Sequence, residues 1–244
     1  MINEKETPEG GTSGGVNDYQ HKSIEPGATQ VNSPLPECTH NLPELSQEFV
    51  QRGSPTPIPG SVEEHWRLHL SLFEPDDIVW IGWVVWNTGR PFDSDYFHSV
   101  AYWLSLPYAP GQLTCASTFR LGTYSRREDN IIARRFFVVD DGAWDADDTY
   151  AALTPLVSET RLRAIVDIGF DRCQLWFECP PIEVIEHCRT MLAEIACKYA
   201  RDQVFFHAAQ PCRLAGAQAY YKRPYVGDTY HRLVWLNTTP GREK

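Results

Sequence analysis

The sequence predicts an α+β fold, in which a mixed, largely antiparallel sheet is flanked by helices and follows a disordered N-terminal tail. Apolar runs of strand length alternate with segments whose apolar residues recur at helical spacing. Two such runs, Leu162–Asp167 and Cys173–Cys179, are joined by a turn at Gly169, as expected for an antiparallel pair. The first 60 residues are rich in Gly, Ser, Pro, Thr and Asn and show neither period, so burial cannot offset their ordering entropy. We therefore expect a disordered acidic tail at 1–60, in which only Pro43–Arg52 forms a transient helix, and one folded domain at 61–240.

Hydrophobic periodicity and capping residues predict the order of elements in that domain. Trp66, Leu70 and Phe73 recur at helical spacing, and the apolar stretch Ile78–Ile81 is typical of a buried strand. Pro181 favours a helix start, because its missing N–H costs nothing in a first turn. The later elements are expected to be a helix from Asp93 or Ser94 to Pro107, strands Leu113–Phe119 and Arg135–Asp140, a helix from Asp145 to Leu153, the strand pair, a helix from Pro181 to Tyr199 and a strand Arg232–Leu236.

Composition and charge exclude several classes of protein. The net charge of −10 argues against a protein that coats duplex DNA by bulk electrostatics. Eight acidic residues but only three basic ones precede Pro57, so half of the net charge lies in the tail. The longest apolar run, Ile78–Trp86, has nine residues and is too short to span a membrane. Because the N-terminus lacks the basic and then apolar order of a secretory signal, we expect a cytoplasmic protein without a membrane partner. The spacing of Cys173, Cys179, Cys188 and Cys197 is unlike that of zinc sites.

Seven stretches of the domain stand in an order that carries a family resemblance. They are Leu72–Gly82, Ser117–Phe119, Tyr124–Arg126, Ala133–Asp140, Leu162–Asp167, Leu175–Phe177 and Gln210–Gly216. Together they resemble the archaeo-eukaryotic primase-like domain of bacterial mobile-element replication proteins, over about residues 62–237. The resemblance implies a primase-like core related to the RRM fold. It also implies DNA replication by nucleotidyl transfer, a chemistry that typically uses two divalent metal ions held by carboxylates. The candidate carboxylates are Asp140, Asp141, Asp167 and Asp202.

The first acidic motif departs from the pattern of the family. Relatives end this motif as Glu-Ser-Asp, with two acids on one strand face, whereas this chain has Asp140-Asp141-Gly142. Because side chains alternate along a strand, Asp140 keeps the first acid and Gly142 removes the second. We expect Asp141 to face the opposite side of the sheet unless the strand bulges. One metal ligand is then lost.

The second motif departs further. Relatives have Gly-Lys-Ser-Leu-His, whose lysine and histidine are implied to hold the phosphates of the incoming nucleotide; here the positions read Phe170-Asp171-Arg172-Cys173-Gln174. Asp171 reverses the charge of the lysine, and Gln174, at the position of the family histidine, cannot be protonated. Arg172 could contact a phosphate instead, although strand alternation directs it opposite to the lysine position.

The remaining matches are an acid, an arginine and two basic clusters. Asp202 stands where the resemblance expects the third motif, and Arg213 could contact a phosphate or sugar, or form a salt bridge to Asp202 or Asp140. Arginines near interleaved tyrosines suit single-stranded nucleic acid, although such clusters are also common on solvated surfaces. The clusters are Arg120, Arg126, Arg127, Arg134 and Arg135, and then Arg213, Lys222, Arg223 and Arg232, with Tyr220, Tyr221, Tyr225 and Tyr230.

These departures favour a pseudoenzyme. Our first hypothesis is a catalytically degenerate primase-like domain that needs no cofactor and acts in nucleic-acid binding or replication assembly, with single-stranded DNA or RNA and a separate replicative helicase as partners. The alternative is an active metal-dependent primase or polymerase whose rebuilt site binds Mg²⁺ or Mn²⁺; a decayed gene product is a third reading. The vestigial or rebuilt catalytic residues are Asp140, Asp202 and Gln174, with metal at Asp140, Asp141 and Asp202. The nucleic-acid or nucleotide contacts are Arg172, Arg213, Arg126, Arg135, Lys222 and Arg223.

Overall fold

The computed structural model of the protein describes residues 42–83, 96–141, 152–156, 161–169, 171–198, 207–218 and 230–239. Its helices are α1 Glu44–Arg52, α2 His65–Leu70, α3 Val100–Leu104, α4 at 152–156 and α5 Ile182–Lys198. Its strands are β1 Ile78–Gly82, β2 Phe97–Ser99, β3 Leu113–Cys115, β4 Ser117–Phe119, β5 Ile131–Arg134, β6 Phe136–Asp141, β7 Leu162–Asp167, β8 Cys173–Glu178, β9 Pro211–Arg213 and β10 Arg232–Leu236. No helix within these described ranges is both long and apolar enough to cross a membrane.

The strands form two four-stranded sheets and a separate two-stranded ribbon. Sheet A has the order β2-β1-β3-β9, sheet B has the order β10-β7-β8-β6, and β4 pairs with β5. Every pairing between these named strands is antiparallel. The predicted α+β class with largely antiparallel pairing is therefore confirmed.

Alternation along β6 gives sheet B two buried faces. Phe137 and Val139 point into a core that also receives apolar residues from α1, α4 and α5. Phe136 and Val138 point to the opposite face, where they join a core containing Val79 of β1 and residues of α2 and β9. Since β6 is buried at all six positions, its sequence is continuously apolar before it ends in two acids. This arrangement places sheet A against one face of sheet B and helices against the other.

The folded region begins earlier in the chain than predicted. Leu42 and Phe49 are buried in the helix-covered core, and the Phe49 ring meets Trp235 edge-on at 5.7 Å between centroids. Beyond α1, Thr56 N donates to the carbonyl of Leu236 at 3.0 Å, which ties the segment to the end of β10. The boundary predicted near residue 60 is therefore wrong for 42–60, because one short amphipathic helix in a Pro- and Gly-rich setting supplies enough apolar contact. Residues 1–41 lie outside the described part of the chain.

The helix predicted over Phe97–Leu104 is a strand followed by a shorter helix. Phe97–Ser99 pair with Ile78–Trp80 at the edge of sheet A. The side chain of Ser99 then caps α3 by accepting from Tyr102 N at 3.2 Å. Strand pairing with β1 therefore overrides the local helical period. The caps predicted at Asp93, Ser94 and Asp145 lie outside the described residues.

The segment predicted as one strand over Leu113–Phe119 is divided between two sheets. β3 belongs to sheet A, and β4 pairs with β5 in the ribbon. Between them, the carbonyl of Ala116 accepts from both Arg135 N and Phe136 N at 3.0 Å, so the chain changes partner at this residue. The predicted strands at β1, β6, β7, β8 and β10 and the helix after Pro181 are confirmed to within one residue at each end that the structure describes.

Candidate functional site

The two acids at the end of β6 point to opposite faces of sheet B. The register with β8 runs without a shift from Phe136 opposite Glu178 to Asp141 opposite Cys173. Asp140 therefore shares a face with Phe136 and Val138, toward sheet A, and Asp141 lies on the other face. The expectation that Asp141 points away from Asp140 is met. The bulge that a rebuilt acidic pair requires is absent from this described pairing.

Asp141 caps a helix from a distant part of the chain. Its Oδ2 accepts a hydrogen bond from Ser46 N at 3.1 Å and another from the Ser46 hydroxyl. Ser46 lies in the first turn of α1, where backbone N–H groups have no partner within the helix. The residue before α1, Pro43, provides no side-chain cap. A negative carboxylate at this end also complements the helix dipole, so Asp141 has a structural task away from Asp140.

Asp140 is a buried acid that is paired with an arginine. Only 6% of the residue is exposed, and its Oδ2 accepts from Nη2 of Arg172. Burial raises the pKa of Asp140, while the guanidinium of Arg172, the Gln174 side chain and the charge of Arg213 act to lower it. The other carboxylate oxygen, Oδ1, is buried and has no hydrogen-bond partner among the described residues. One carboxylate oxygen of Asp140 is therefore paired with Arg172, and the other makes no hydrogen bond within the described part of the chain.

The turn before β8 directs Arg172 toward Asp140. Gly169 and Asp171 both have positive φ, 79° and 55°, and Ile168 N donates to the carbonyl of Arg172 at 3.0 Å to close the turn. Arg172 and Gln174 are two residues apart, so both side chains lie on the face of Asp140, as strand alternation expects. The Arg172 side chain is 42% exposed, and its buried Nε has no partner within the described ranges.

Gln174 ties the two sheets together beside Asp140. It lies directly opposite Asp140 in the β6–β8 register, and its Oε1 accepts from the backbone N of Arg213 at 2.9 Å. Arg213 belongs to β9 of sheet A, so this bond joins the sheets at the end of the core. An amide can hold this position permanently but cannot transfer a proton as histidine can. Gln174 therefore has a structural role in joining the two sheets.

Two buried histidines of α2 fix the segments around this site, and sequence reasoning missed both. His69 Nδ1 accepts from Ala215 N at 3.1 Å, and its ring meets Trp176 edge-on at 4.4 Å. His65 Nδ1 accepts from Leu233 N at 3.0 Å. Burial lowers the pKa of His69 to about 3, so this histidine is a neutral acceptor. The spacing of His65 and His69, one helical turn apart in an apolar stretch, was the available signal.

The stretch Gln210–Gly216 is held by close backbone contacts as well as by histidines. Gly216 has φ 74° and donates from its N to the carbonyl of His231 at 2.7 Å. A Cβ at this position would lie 2.5 Å from the backbone N of Trp66. His231 is itself buried, and burial followed by the charge of Arg213 lowers its pKa to about 3. This closing stretch is therefore a rigid support for Arg213.

Two arginines predicted to contact nucleic acid are paired with other residues of the protein. Arg126 lies over the Trp80 ring at 4.4 Å from its centroid and donates to the carbonyl of Ala209 at 3.2 Å. Arg135 pairs with Asp77 at 2.7 Å. Arg126 and Arg135 therefore have structural contacts at the positions predicted for nucleic-acid binding. Asp202, Lys222 and Arg223 lie outside the described residues.

The described residues provide no ready metal centre. Nowhere in these ranges do three His, Cys, Asp or Glu side chains come together in a way that could hold a metal ion. Asp167, the remaining candidate acid, accepts from Gly169 N at 2.8 Å, and it lies opposite Cys173 in the β7–β8 register. What the site does offer is a cationic group over a buried acid, at the end of the core between two sheets.

Comparison with known proteins adds no relative to this description. No family model, no curated protein and no solved structure matches the chain. The arrangement of Asp140, Arg172, Gln174 and Arg213 must therefore be interpreted from its own geometry and from the resemblance of the motifs.

Proposed function

We propose that this protein is a catalytically degenerate primase-like domain that binds single-stranded nucleic acid within the replication machinery of a mobile element. The observation that carries this proposal is the ion pair of Asp140 with Arg172, together with the use of Asp141 as the cap of α1. The first motif then offers one acid where the family has two, and that acid already has a cation beside it.

Charge at the site supports the loss of nucleotidyl transfer. Two-metal catalysis depends on several carboxylates that converge on one region and neutralise the charge of the metal ions. A guanidinium beside Asp140 repels a divalent cation, because like charges a few ångströms apart in a poorly hydrated site interact strongly. Gln174 at the position of the family histidine removes a cationic contact to phosphate as well. Both changes weaken the binding of metal ions or of nucleotide phosphate at this site.

The same residues support contact with nucleic acid. Arg172 exposes part of its side chain while one nitrogen pairs with Asp140. A guanidinium has five donors, so pairing with one carboxylate oxygen leaves donors for a phosphate. Because the chain carries a net charge of −10, a local arginine surface would favour a flexible single strand over bulk binding of duplex DNA.

An active primase with a rebuilt site is the second candidate, and one observation favours it. Oδ1 of Asp140 is buried and has no partner in the described part of the chain, and such an oxygen is a suitable ligand for Mg²⁺ or Mn²⁺. In this case Asp202 would have to complete the site, and Arg172 would have to move away from Asp140. Nucleotide-dependent primer synthesis would then require Asp140.

Fluorescence anisotropy with a labelled single-stranded oligonucleotide tests the first proposal. The full chain should bind the single strand in a salt-dependent manner, and Arg172→Ala should weaken binding severalfold. Arg52→Ala is the matched control, because Arg52 lies on the exposed end of α1, where it contacts Glu48 and the Phe49 ring of the same helix. A folded protein that fails to bind single-stranded DNA or RNA at low salt would rule the proposal out.

A further inference from the structure

The β4–β5 hairpin presents an ordered loop. β4 and β5 pair antiparallel, and Arg120 N donates to the carbonyl of Asn130 at 2.9 Å across the loop base. Within the loop, Asn130 Nδ2 donates to the carbonyl of Ser125 at 3.0 Å and to its hydroxyl at 3.1 Å. These bonds hold residues 120–130 in one arrangement, so the side chains at the tip have defined positions.

Large apolar side chains are exposed on this hairpin. The exposed fractions are 84% for Leu121, 76% for Tyr124 and 67% for Ile132. These are three of only seven exposed large hydrophobic residues in the described part of the chain. The neighbouring Phe119 is fully buried and meets Phe97 edge-on at 5.1 Å, which anchors the hairpin to sheet A. One exposed ring and two exposed aliphatic side chains on one anchored hairpin are typical of a binding surface.

Positive charge is concentrated on the same segment. Residues 120–135 contain five arginines and only two acids, in a chain whose net charge is −10. Arg126, Arg134 and Arg135 contact Trp80, Phe137 and Asp77 respectively. Arg120 and Arg127 are exposed, and neither has a side-chain hydrogen bond or ion pair among the described residues. These two guanidinium groups are therefore available to a ligand.

We propose that Tyr124, Arg120 and Arg127 form a stacking platform for one or two bases of a single strand. An exposed ring offers a face to any base, and adjacent arginines suit the phosphates that link the bases. This chemistry fits a single-stranded nucleic acid, whose bases are free to stack, better than a duplex. The inference rests on the proposed function and extends it to a second contact surface.

The hairpin is directly connected to the candidate site. Ser117 Oγ donates to the carbonyl of Ala208 at 2.7 Å, and Arg126 Nη1 donates to that of Ala209. These carbonyls lie just before the stretch Gln210–Gly216, which carries Arg213 beside Asp140 and Gln174. A single-stranded nucleic acid that contacts Arg172 and Arg213 can therefore extend toward the hairpin along a continuous part of the protein surface.

Binding of a dye-labelled single-stranded oligonucleotide to the full chain tests the platform. Tyr124→Ala should weaken binding by about tenfold, the effect of losing one base stack, while Tyr124→Phe should bind nearly as the wild type does. The Arg120→Ala, Arg127→Ala double variant should reduce the slope of log K against log salt by about 1.4, because two phosphate contacts are lost. Tyr108→Ala is the control for the ring, since Tyr108 is 70% exposed elsewhere.

The outcomes separate this inference from the proposed function. Wild-type binding with a selective loss in Tyr124→Ala and in the arginine double variant supports both. Wild-type binding that the hairpin variants leave unchanged, while Arg172→Ala weakens it, overturns the platform and leaves the function standing. A folded wild type that binds no single strand overturns both. An equal loss in Tyr108→Ala would also overturn the platform, because the effect would then be unspecific.

Discussion

The carboxylate of Asp140 and the guanidinium of Arg172 pair at the end of the core between the two sheets. Asp140 lies one residue before the end of β6, and Arg172 follows a turn with two positive φ values. The two segments meet because β6 and β8 are neighbours. The ion pair satisfies a buried acid that a metal-dependent enzyme would use as a ligand. It is the basis of the first prediction.

Arg172→Met should destabilise the fold at pH 7 by about 1–2 kcal/mol, because it leaves a buried carboxylate without its cation; the partial exposure of Arg172 keeps the loss below that of a fully buried pair. Removing Arg172 raises the pKa of Asp140 further. An acid whose pKa is higher in the folded protein than in the unfolded chain stabilises the fold at low pH, and this contribution is lost as the pH rises. The loss should therefore be smaller at pH 5 than at pH 7 in urea titrations. Adding Asp140→Asn should restore much of the stability at pH 7, and no restoration would contradict the pairing.

Asp141→Ala should destabilise the protein by about 1–2 kcal/mol, since it removes both hydrogen bonds to Ser46 and the cap of α1. Ser46→Ala should cost less, because the backbone N–H of residue 46 can still reach the carboxylate. Urea unfolding measures both. Ser71→Ala is the control, because the Ser71 hydroxyl bonds only to the nearby carbonyl of Leu68 on the surface. Equal effects of Asp141→Ala and Ser71→Ala would show that α1 does not depend on this cap.

The stability of the protein should fall as pH drops below about 6. His69 and His231 have pKa values of about 3 in the fold, so between pH 6 and 4 they bind protons mainly in the unfolded chain. Over this range, each histidine lowers the free energy of unfolding by about 1.4 kcal/mol for every unit by which the pH falls. Burial raises the pKa values of Asp140 and Asp167, which opposes this slope. The contribution of His69 is therefore measured by comparing the slope of the unfolding free energy against pH in His69→Gln with that in the exposed control His187→Gln. Identical slopes for the two variants would contradict this contribution.

Gly216→Ala should be far more damaging than Gly122→Ala. Both glycines have positive φ, 74° and 80°, so each substitution carries a strain of about 1 kcal/mol. Only at Gly216 would the added Cβ also meet backbone atoms, those of Trp66 and Val62, whereas nothing lies within 4 Å at Gly122. The thermal midpoint should therefore fall by several degrees more for Gly216→Ala. A similar fall in both variants would show that the closing stretch is not tightly packed on α2.

Sequence patterns predicted the longer elements with a strong apolar signal and missed the short ones that depend on a partner. The apolar runs of β6, β7 and β8 and the helix after Pro181 carry their own signals. By contrast, β2 and β9 have three residues each and exist through pairing with β1 and β3. The helix α1 was expected only as a transient one, because its packing partner Trp235 is separated from it by most of the chain.

The candidate site was predicted where strand alternation applies. Alternation along β6 correctly separated Asp140 from Asp141. Strand alternation also directed Arg172 away from the position of Asp171, but the ion pair with Asp140 was not predicted, because only the pairing of β6 with β8 brings the two residues together. The role of Gln174 depends on a contact with the backbone of Arg213, which no residue pattern in one segment can reveal.

Primer synthesis on a single-stranded template, with labelled nucleotides and Mg²⁺ or Mn²⁺, tests whether the protein has lost nucleotidyl transfer. The wild type should be compared with the Asp140→Ala, Asp202→Ala double variant, and with Asp76→Ala as an exposed acidic control. A catalytically degenerate domain gives no product with any of these proteins, while the wild type still binds the single strand. Product from the wild type and from Asp76→Ala that disappears in the double variant would show an active enzyme with a rebuilt metal site.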